Sequence, residues 1–104
     1  MKEITSVEEF DQEIQADGVT VVKFWASWCG PCKAFSPTVE TVEEQVGPAV
    51  KFLNVSIEDL PELSSRFQVR TIPMLLFMKG GELVDQQIGT VPAHLIREKI
   101  EAHQ

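Results

Sequence analysis

Long apolar runs are absent from this sequence of 104 residues. The longest, Met74–Met78, is far shorter than the roughly 20 residues of a membrane-spanning helix. The first residues, Met1-Lys2-Glu3-Ile4, also lack the apolar core of a signal peptide. We therefore expect a cytoplasmic protein without a membrane-spanning segment.

Basic residues are scarce as well, since nine Lys and Arg stand against sixteen Asp and Glu. The formal net charge is −7 and the pI is near 4.7. A nucleic-acid binder neutralises phosphates with clustered Lys and Arg, and an anionic membrane surface attracts the same residues. The composition therefore argues against nucleic acids and membranes as partners.

Only two cysteines are present, too few for the disulfide framework of a small secreted protein. The hydrophobic fraction of 43% is ordinary for a globular chain. Because a chain of this length suits one hydrophobic core, we expect a single domain over residues 1–104.

Hydrophobic periodicity predicts short strands that alternate with amphipathic helices. The predicted strands are Lys2–Thr5, Val19–Ala26, Val50–Ile57, Met74–Met78 and Leu83–Ile88. The predicted helices begin at Ser6, extend over about Cys29–Val46, begin at Asp59, and extend over about Pro92–Ala102. This order, βαβαβα followed by ββα, predicts an α/β fold with a mixed central sheet of about five strands flanked by four helices.

Local signals refine this pattern. Val19–Ala26 is apolar on both faces of its alternation, which is typical of a central strand covered by helices on each side. Two helix starts have capping boxes, formed by Ser6 with Glu9 and by Asp59 with Glu62. Two glycines predict a tight hairpin turn between the last two strands, at Lys79-Gly80-Gly81-Glu82. The last helix is expected to bury three apolar residues, Leu95, Ile96 and Ile100.

The two cysteines lie between the predicted central strand and the long helix, in Trp28-Cys29-Gly30-Pro31-Cys32-Lys33. Open α/β sheets place their sites at the carboxyl ends of parallel strands. At the helix N-terminus, unpaired N–H groups and the helix dipole favour a thiolate, which predicts a lowered pKa for Cys29. Cys32 lies one turn further along and is expected to be less exposed. Pro31 suits the first helical turn, and Gly30 leaves room for a partner chain.

This placement predicts thiol–disulfide exchange. Cysteines three residues apart on a helix have Cβ atoms about 5–6 Å apart, and a disulfide requires about 3.8 Å, so a small adjustment closes the bond. Cys29 would attack a substrate disulfide to form a mixed disulfide, and Cys32 would then attack the Cys29 sulfur and release the reduced substrate. No metal or organic cofactor is needed in the chain.

Two other interpretations of the cysteine pair are weaker. A zinc site would need His94 and His103 as further ligands, and their spacing in the predicted helix is not that of a zinc-binding histidine pair. A purely structural disulfide is unusual in a cytoplasmic protein.

With these residues, the sequence resembles the thioredoxin family over essentially its whole length. The matching segments are Phe24-Trp25-Ala26-Ser27-Trp28-Cys29-Gly30-Pro31-Cys32-Lys33, Pro37, Thr71-Ile72-Pro73, Lys79-Gly80-Gly81 and Gly89. The WCGPC segment separates the group from glutaredoxins and protein disulfide isomerases. The resemblance implies a thioredoxin fold, with Cys29 as the nucleophile and Cys32 as the resolving thiol.

The resemblance also implies a substrate-binding surface. Ile72-Pro73 would contain a cis peptide bond that faces the cysteines, and the backbone of Ile72 would pair with a substrate strand. A flat apolar surface would surround the sulfur, formed by Trp28, Gly30, Pro31, Ile57, Thr71, Ile72, Pro73, Ile88 and Gly89. For Ile57 and Ile88, an ordinary place in the core is an equal alternative.

The sequence departs from the family at three positions. Most thioredoxins have a buried Asp where this chain has Lys23, and a basic residue is common where it has Asn54. Lys23 either extends its amine to water along an apolar stem, or lies partly buried and tunes the cysteines, as an ammonium that lowers their pKa or as a neutral base. Gln68 replaces a frequent Gly, which predicts a left-handed backbone at some cost.

Together these observations predict a thiol–disulfide oxidoreductase that reduces disulfides of substrate proteins through a Cys29–Cys32 cycle. The resemblance implies that a flavin-dependent thioredoxin reductase supplies electrons from NADPH. No bound cofactor is expected, because the dithiol carries the chemistry, and a monomer is the default expectation. Two alternatives remain open: a specialised thioredoxin-like domain of a larger protein, and a binding module without turnover.

Overall fold

The order of strands and helices agrees with the predicted one. A computed structural model describes all 104 residues. The strands are β1 (Lys2–Glu3), β2 (Val19–Trp25), β3 (Lys51–Ser56), β4 (Met74–Lys79) and β5 (Glu82–Ile88). The helices are α1 (Val7–Glu13), α2 (Gly30–Val46), α3 (Pro61–Arg66) and α4 (Ala93–His103).

The five strands form one mixed sheet in the order β1-β3-β2-β4-β5. The β1–β3 and β2–β3 pairs are parallel, whereas β4 is antiparallel to both β2 and β5. The predicted mixed sheet with four helices is therefore confirmed. β2 lies at the centre, so its carboxyl end places the segment with the two cysteines at the middle of one sheet edge.

Both faces of β2 are buried, as its apolar pattern predicts. Val22 and Phe24 belong to one hydrophobic core, together with Phe10 of α1 and Leu63 of α3. Val19 and Val21 belong to the other core, to which α2 and α4 contribute Val39, Ile96 and further apolar residues. The sheet is thus covered by two helices on each face, and this packing holds β2 and the start of α2 in place.

The predicted cap of α1 is confirmed with one difference. Ser6 is the N-cap, and its hydroxyl accepts a hydrogen bond from the backbone N–H of Glu9 at 3.1 Å. The Glu9 carboxylate reaches the N–H of Thr5 at 2.8 Å, one residue before the position expected in a capping box. This bond lowers the pKa of the Glu9 carboxyl, since it favours the charged form.

The predicted Asp59 cap of α3 is wrong. The N-cap is Leu60, no side chain caps the helix, and Pro61 occupies the first turn. Because proline has no N–H and its φ is already helical, this helix begins without a capping oxygen. The N–H of Asp59 instead donates to the Ser56 hydroxyl at 3.3 Å, within the turn that precedes the helix.

Three further predictions concern the backbone at Gln68, the hairpin turn and the buried face of α4. Gln68 has a φ of 53°, so the left-handed conformation is confirmed. The predicted hairpin is confirmed, since β4 and β5 are antiparallel, and Gly80 and Gly81 have positive φ values in its turn. Ile96 and Ile100 are buried on α4, but Leu95 is 36% exposed, so its predicted place in the core is wrong. Residues 96 and 100 are one turn apart and define the buried stripe, and residue 95 lies outside it.

None of the four helices has the length and apolar character that a membrane crossing requires.

Candidate active site

The two cysteines lie where the central strand gives way to α2. Cys29 is the N-cap of the helix, and its Sγ accepts a hydrogen bond from the backbone N–H of Cys32 at 3.2 Å. The two residues form a disulfide, with their Cα atoms 5.3 Å apart. Cys32 is 1% exposed and Cys29 is 5% exposed, which agrees with the predicted order of exposure. Cys29 is therefore the more exposed of the two residues, and it lies at the positive end of a 17-residue helix.

The residues between and before the cysteines have the predicted geometry. Pro31 lies in the first turn of α2, and a side chain at Gly30 would meet no other atom within 4 Å. Trp28 is 68% exposed and is the most exposed of the large apolar side chains. The surface on the Trp28 side of the disulfide is therefore open to a partner chain.

A carboxylate that the sequence analysis missed holds the segment before Cys29. Glu58 follows β3, and its side chain accepts a hydrogen bond from the backbone N–H of Ser27 at 2.7 Å. This bond lowers the pKa of the Glu58 carboxyl. The contact joins the loops that follow β2 and β3, two neighbouring strands of the sheet, and so restrains the loop that carries Trp28.

The loop before β4 faces the cysteines. The Ile72–Pro73 peptide bond is cis, and the Ile72 side chain packs against the cluster that contains both cysteines. The carbonyl of Pro73 accepts a hydrogen bond from the N–H of Gly89 at 2.8 Å, which ties this loop to the end of β5. Ile72 precedes β4 and therefore makes none of the hydrogen bonds within the sheet. It also takes part in no turn, loop or side-chain hydrogen bond, so its N–H and carbonyl have no hydrogen-bond partner.

The remaining residues of the predicted surface differ in burial. Ile88 is 53% exposed, so the core alternative for this residue is wrong. Thr71 is exposed, and Gly89 is half-buried with a φ of 81°. Ile57 is half-buried and packs against both the cysteine cluster and the neighbouring hydrophobic core. Trp25 is half-buried and packs against the cysteine cluster.

Lys23 lies directly beneath this site. Lys23 is only 2% exposed, and its Nζ donates a hydrogen bond to the hydroxyl of Ser36. That hydroxyl donates in turn to the carbonyl of Cys32 at 3.2 Å. Burial lowers the pKa of the Lys23 amine, and the nearby carboxylates of Glu40 and Glu3 oppose this effect. One interpretation of the sequence expected the amine to extend to bulk water, and this is wrong. The amine instead ends one hydroxyl group away from the Cys32 backbone.

A polar cleft of about 230 Å³ opens next to Lys23, on the side of α2 and β1. We call it the lysine cleft, and its lining residues are Glu3, Lys23, Trp25, Cys32, Lys33, Ser36 and Asn54. Both oxygens of the Glu3 carboxylate are held there, by Asn54 Nδ2 at 2.9 Å and by Trp25 Nε1 at 3.3 Å. The cleft thus joins the buried lysine and the inner cysteine to a surface carboxylate.

Glu3 and Ser36 were missed in the sequence analysis, although each had a signal. Ser36 is four residues after Cys32 on a predicted helix, a spacing that places its hydroxyl beside the Cys32 carbonyl. Glu3 lies on a predicted strand, but only the observed register, which pairs Glu3 with Asn54 and Asn54 with Lys23, brings it to the cleft.

The two histidines have other neighbours than the cysteines. His94 lies 4.0 Å from Glu98, and His103 lies 3.2 Å from Asp85. No group of three or more His, Cys, Asp or Glu side chains is arranged around a common metal position. A zinc site formed by the cysteines and these histidines is therefore inconsistent with the fold.

Comparison with known proteins agrees with this geometry. The thioredoxin family model matches residues 2–102. A thioredoxin of Listeria monocytogenes is 38% identical over 103 residues, which cover 99% of this chain and 98% of the relative. A thioredoxin of Bacillus subtilis is 33% identical over 93% of this chain and 96% of its own length.

A solved structure is similar over the full chain. The X-ray structure of Fasciola hepatica thioredoxin superposes with a TM-score of 0.91, at 29% identity, and covers 100% of both chains. The shared fold, the Cys29–Cys32 disulfide and the sequence matches lead to one conclusion. The chain belongs to the thioredoxin family and is a thiol–disulfide oxidoreductase that reduces protein disulfides.

Proposed function

We propose that Cys29 is the nucleophile of this oxidoreductase and that Cys32 resolves the mixed disulfide. The position of Cys29 supports this assignment, because it is the helix N-cap and the more exposed of the two cysteine residues. Unpaired N–H groups and the helix dipole stabilise negative charge at that position, so the thiolate forms there most readily. Gly30 and Pro31 contribute by keeping the first turn open and already helical.

The cycle is balanced in atoms and electrons. The Cys29 thiolate attacks a substrate disulfide, one substrate sulfur leaves as a thiolate, and a mixed disulfide forms. The Cys32 thiol then loses its proton and attacks the Cys29 sulfur, which releases the second substrate sulfur. The substrate gains two electrons and two protons, and the Cys29–Cys32 disulfide is formed. An external reductant must return two electrons before the next cycle.

Substrate chains bind at the loop that precedes β4, in this proposal. The observation that carries it is the unpaired backbone of Ile72, which packs beside the cysteines while its N–H and carbonyl have no partner. An extended substrate segment can pair with these groups as an added strand. Apolar contacts come from Trp28 and Ile88, the exposed Thr71 and half-buried Gly89 border them, and the buried Pro73 supports this surface from below.

The proposal extends to the setting of the reaction. Substrates are disulfide-containing proteins, and electrons come from NADPH through a flavin-dependent thioredoxin reductase. The protein acts in the cytoplasm as a monomer of one domain. Family membership and the bacterial relatives support this setting, and the chain's own dithiol supplies the only redox group that it requires.

Lys23 tunes the inner cysteine in this proposal. Its Nζ and the Cys32 carbonyl share the Ser36 hydroxyl, which supports an electrostatic effect of the ammonium on Cys32. A positive charge one hydroxyl group away from the Cys32 backbone favours the Cys32 thiolate. Resolution of the mixed disulfide is therefore faster while Lys23 is charged. In a Lys23→Asp variant we expect Cys32 to become a thiolate at higher pH, measured by NMR titration of both thiols. Unchanged titrations would contradict the effect.

The activity itself is tested by catalysis of disulfide reduction. A disulfide-containing protein is treated with dithiothreitol, with and without this protein, and the reduced chains are followed on a non-reducing gel. We expect acceleration by the wild type and loss of it in both Cys29→Ser and Cys32→Ser. Activity that survives in Cys32→Ser would indicate a monothiol route. No acceleration by a wild type with two reactive thiols would favour a binding module without turnover.

A further inference from the structure

The side chain of Asn54 has an unsatisfied buried acceptor beside Lys23. Its Nδ2 donates to the Glu3 carboxylate, which can only accept, and this bond fixes the orientation of the amide. The other atom, Oδ1, is buried and has no hydrogen-bond partner. A buried carbonyl oxygen without a donor is uncommon in a well-packed protein, so this acceptor is available to a donor that lines the same cleft.

The donor that fits this position is Lys23. Asn54 and Lys23 are register partners on β3 and β2, and both line the lysine cleft. In the oxidised structure Lys23 Nζ donates to Ser36 of α2, which also lines the cleft. A lysine ammonium has three donors and a flexible stem, so a second acceptor in the same cleft is within its chemistry. Lys33, the other cation of the cleft, is exposed on α2.

The positions of the residues across the sheet determine which group the Glu3 carboxylate acts on electrostatically. Glu3 pairs with Asn54, and Asn54 pairs with Lys23, while Ser36 and Cys32 lie on the helix beyond Lys23. Glu3 is therefore separated from Lys23 by the width of β3 and lines the same cleft as the amine. Its negative charge favours the charged form of the Lys23 amine.

We propose that Glu3 and Asn54 are positioning residues for Lys23: they form a second hydrogen-bonding site for its ammonium at the outer end of the cleft, and the Glu3 carboxylate keeps it charged beneath Cys32. This proposal rests on the proposed role of Cys32 as the resolving thiol. The ammonium alternates between Ser36, next to Cys32, and Asn54 Oδ1, next to Glu3.

Other charges that face the amine must be held constant in a test. Glu40 and Lys33 of α2 and Glu3 of β1 are the charged groups near it, and Cys32 is the titrating thiol. Because Glu40 also acts on Lys23, it is unsuitable as a control. Glu44, an exposed residue of α2 that does not line the cleft, gives the matched loss of one negative charge.

The first measurement is the titration of Lys23 in the reduced protein. Lysine labelled with ¹³C at Cε is followed by NMR, and the Lys23 signal is assigned by its loss in Lys23→Met. We expect Glu3→Gln to move the Lys23 midpoint to lower pH, Glu3→Asp to stay near the wild type, and Glu44→Gln to leave it in place. An unmoved midpoint in Glu3→Gln, or an equal shift in Glu44→Gln, overturns the proposal.

The second measurement concerns the reaction. A mixed disulfide of Cys29 with a chromogenic thiol is prepared, and release of that thiol by Cys32 is followed against pH. We expect an inflection on the alkaline side where Lys23 loses its charge, which moves to lower pH in Glu3→Gln and disappears in Lys23→Met. A wild-type profile without this inflection overturns the proposal, whereas no release at all contradicts the role of Cys32 instead.

Discussion

At the scale of single residues, Lys23 is the most unusual feature of this molecule. It is one of three polar residues that are fully buried, and it is the only charged one among them. Its hydrogen bond to Ser36 satisfies one of three ammonium donors. Burial of a cation with incomplete hydrogen bonding costs free energy of folding, so Lys23 is expected to reduce the stability of the protein.

Replacement of Lys23 by Met tests this cost and its pH dependence. The pKa of the amine is lowered in the folded protein from an ordinary value of 10.5, so at neutral pH the unfolded chain is the state that protonates it more readily. The wild type therefore gains stability relative to Lys23→Met as pH rises from the lowered pKa towards 10.5. We expect Lys23→Met to be more stable at pH 7 by about 1–3 kcal/mol, with the difference shrinking at high pH.

Urea unfolding of both oxidised proteins at several pH values measures this difference. Arg70→Met serves as the control, because Arg70 is exposed and lies outside the lysine cleft, so the substitution removes a positive charge without relieving burial. A Lys23→Met variant that is less stable at neutral pH, or a difference that does not change with pH, would contradict the account.

The second residue prediction concerns Gln68. Its φ of 53° lies in the left-handed region, which costs an L-residue other than glycine about 1–2 kcal/mol. Glycine removes this cost but loses part of the gain through the greater freedom of the unfolded chain. We expect Gln68→Gly to raise the free energy of unfolding by roughly 0.5–1 kcal/mol. Gln86→Gly, in the exposed strand β5, should instead destabilise; equal effects of both changes would refute the conformational argument.

At the scale of elements, α1 and α3 begin in different ways. α1 depends on a hydroxyl cap at Ser6, whereas α3 begins with a proline and has no side-chain cap. Both helices cover the same hydrophobic core. Stability of α1 should therefore be sensitive to its capping residue, and α3 should be insensitive to the residue that the sequence pattern suggested as its cap.

Ser6→Ala and Asp59→Ala separate these two cases. Loss of the Ser6 hydroxyl leaves the N–H of Glu9 without its partner, and we expect a decrease in the free energy of unfolding of about 1 kcal/mol. For Asp59→Ala we expect a change within about 0.5 kcal/mol, as for other surface substitutions. Thermal or urea unfolding measures both. Comparable losses in the two variants would mean that the observed caps do not control stability.

At the scale of the whole molecule, periodicity predicted the element order, the mixed sheet and the central position of β2. These features follow from patterns within single segments, whereas the left-handed backbone at Gln68 was expected from the family resemblance, since relatives frequently have Gly at that position. The cap of α3 was wrong because Pro61 makes a capping oxygen unnecessary, and Leu95 was misplaced because its face of α4 depends on tertiary packing. Boundaries shifted by one or two residues at several strands.

Some residues of the candidate site could be located from local sequence motifs, and others could not. The positions of Cys29 and Cys32 and the cis bond before Pro73 are linked to short motifs, so the sequence and its family resemblance located them. Glu3 and Glu58 act across strands or loops that are far apart in the sequence, and no local pattern announces such contacts. The lysine cleft exists only after the parallel register has joined β1, β3 and β2.

The central claim is that Cys29 attacks substrate disulfides and Cys32 resolves the product. It is tested most directly by trapping the mixed disulfide. Reduced Cys32→Ser and Cys29→Ser are each mixed with a disulfide-containing protein, and the adducts are located by intact and peptide mass spectrometry. The account predicts that Cys32→Ser accumulates a substrate adduct on Cys29, whereas Cys29→Ser accumulates none on the nearly fully buried Cys32. A stable adduct on Cys32, or no adduct on Cys29, would contradict it.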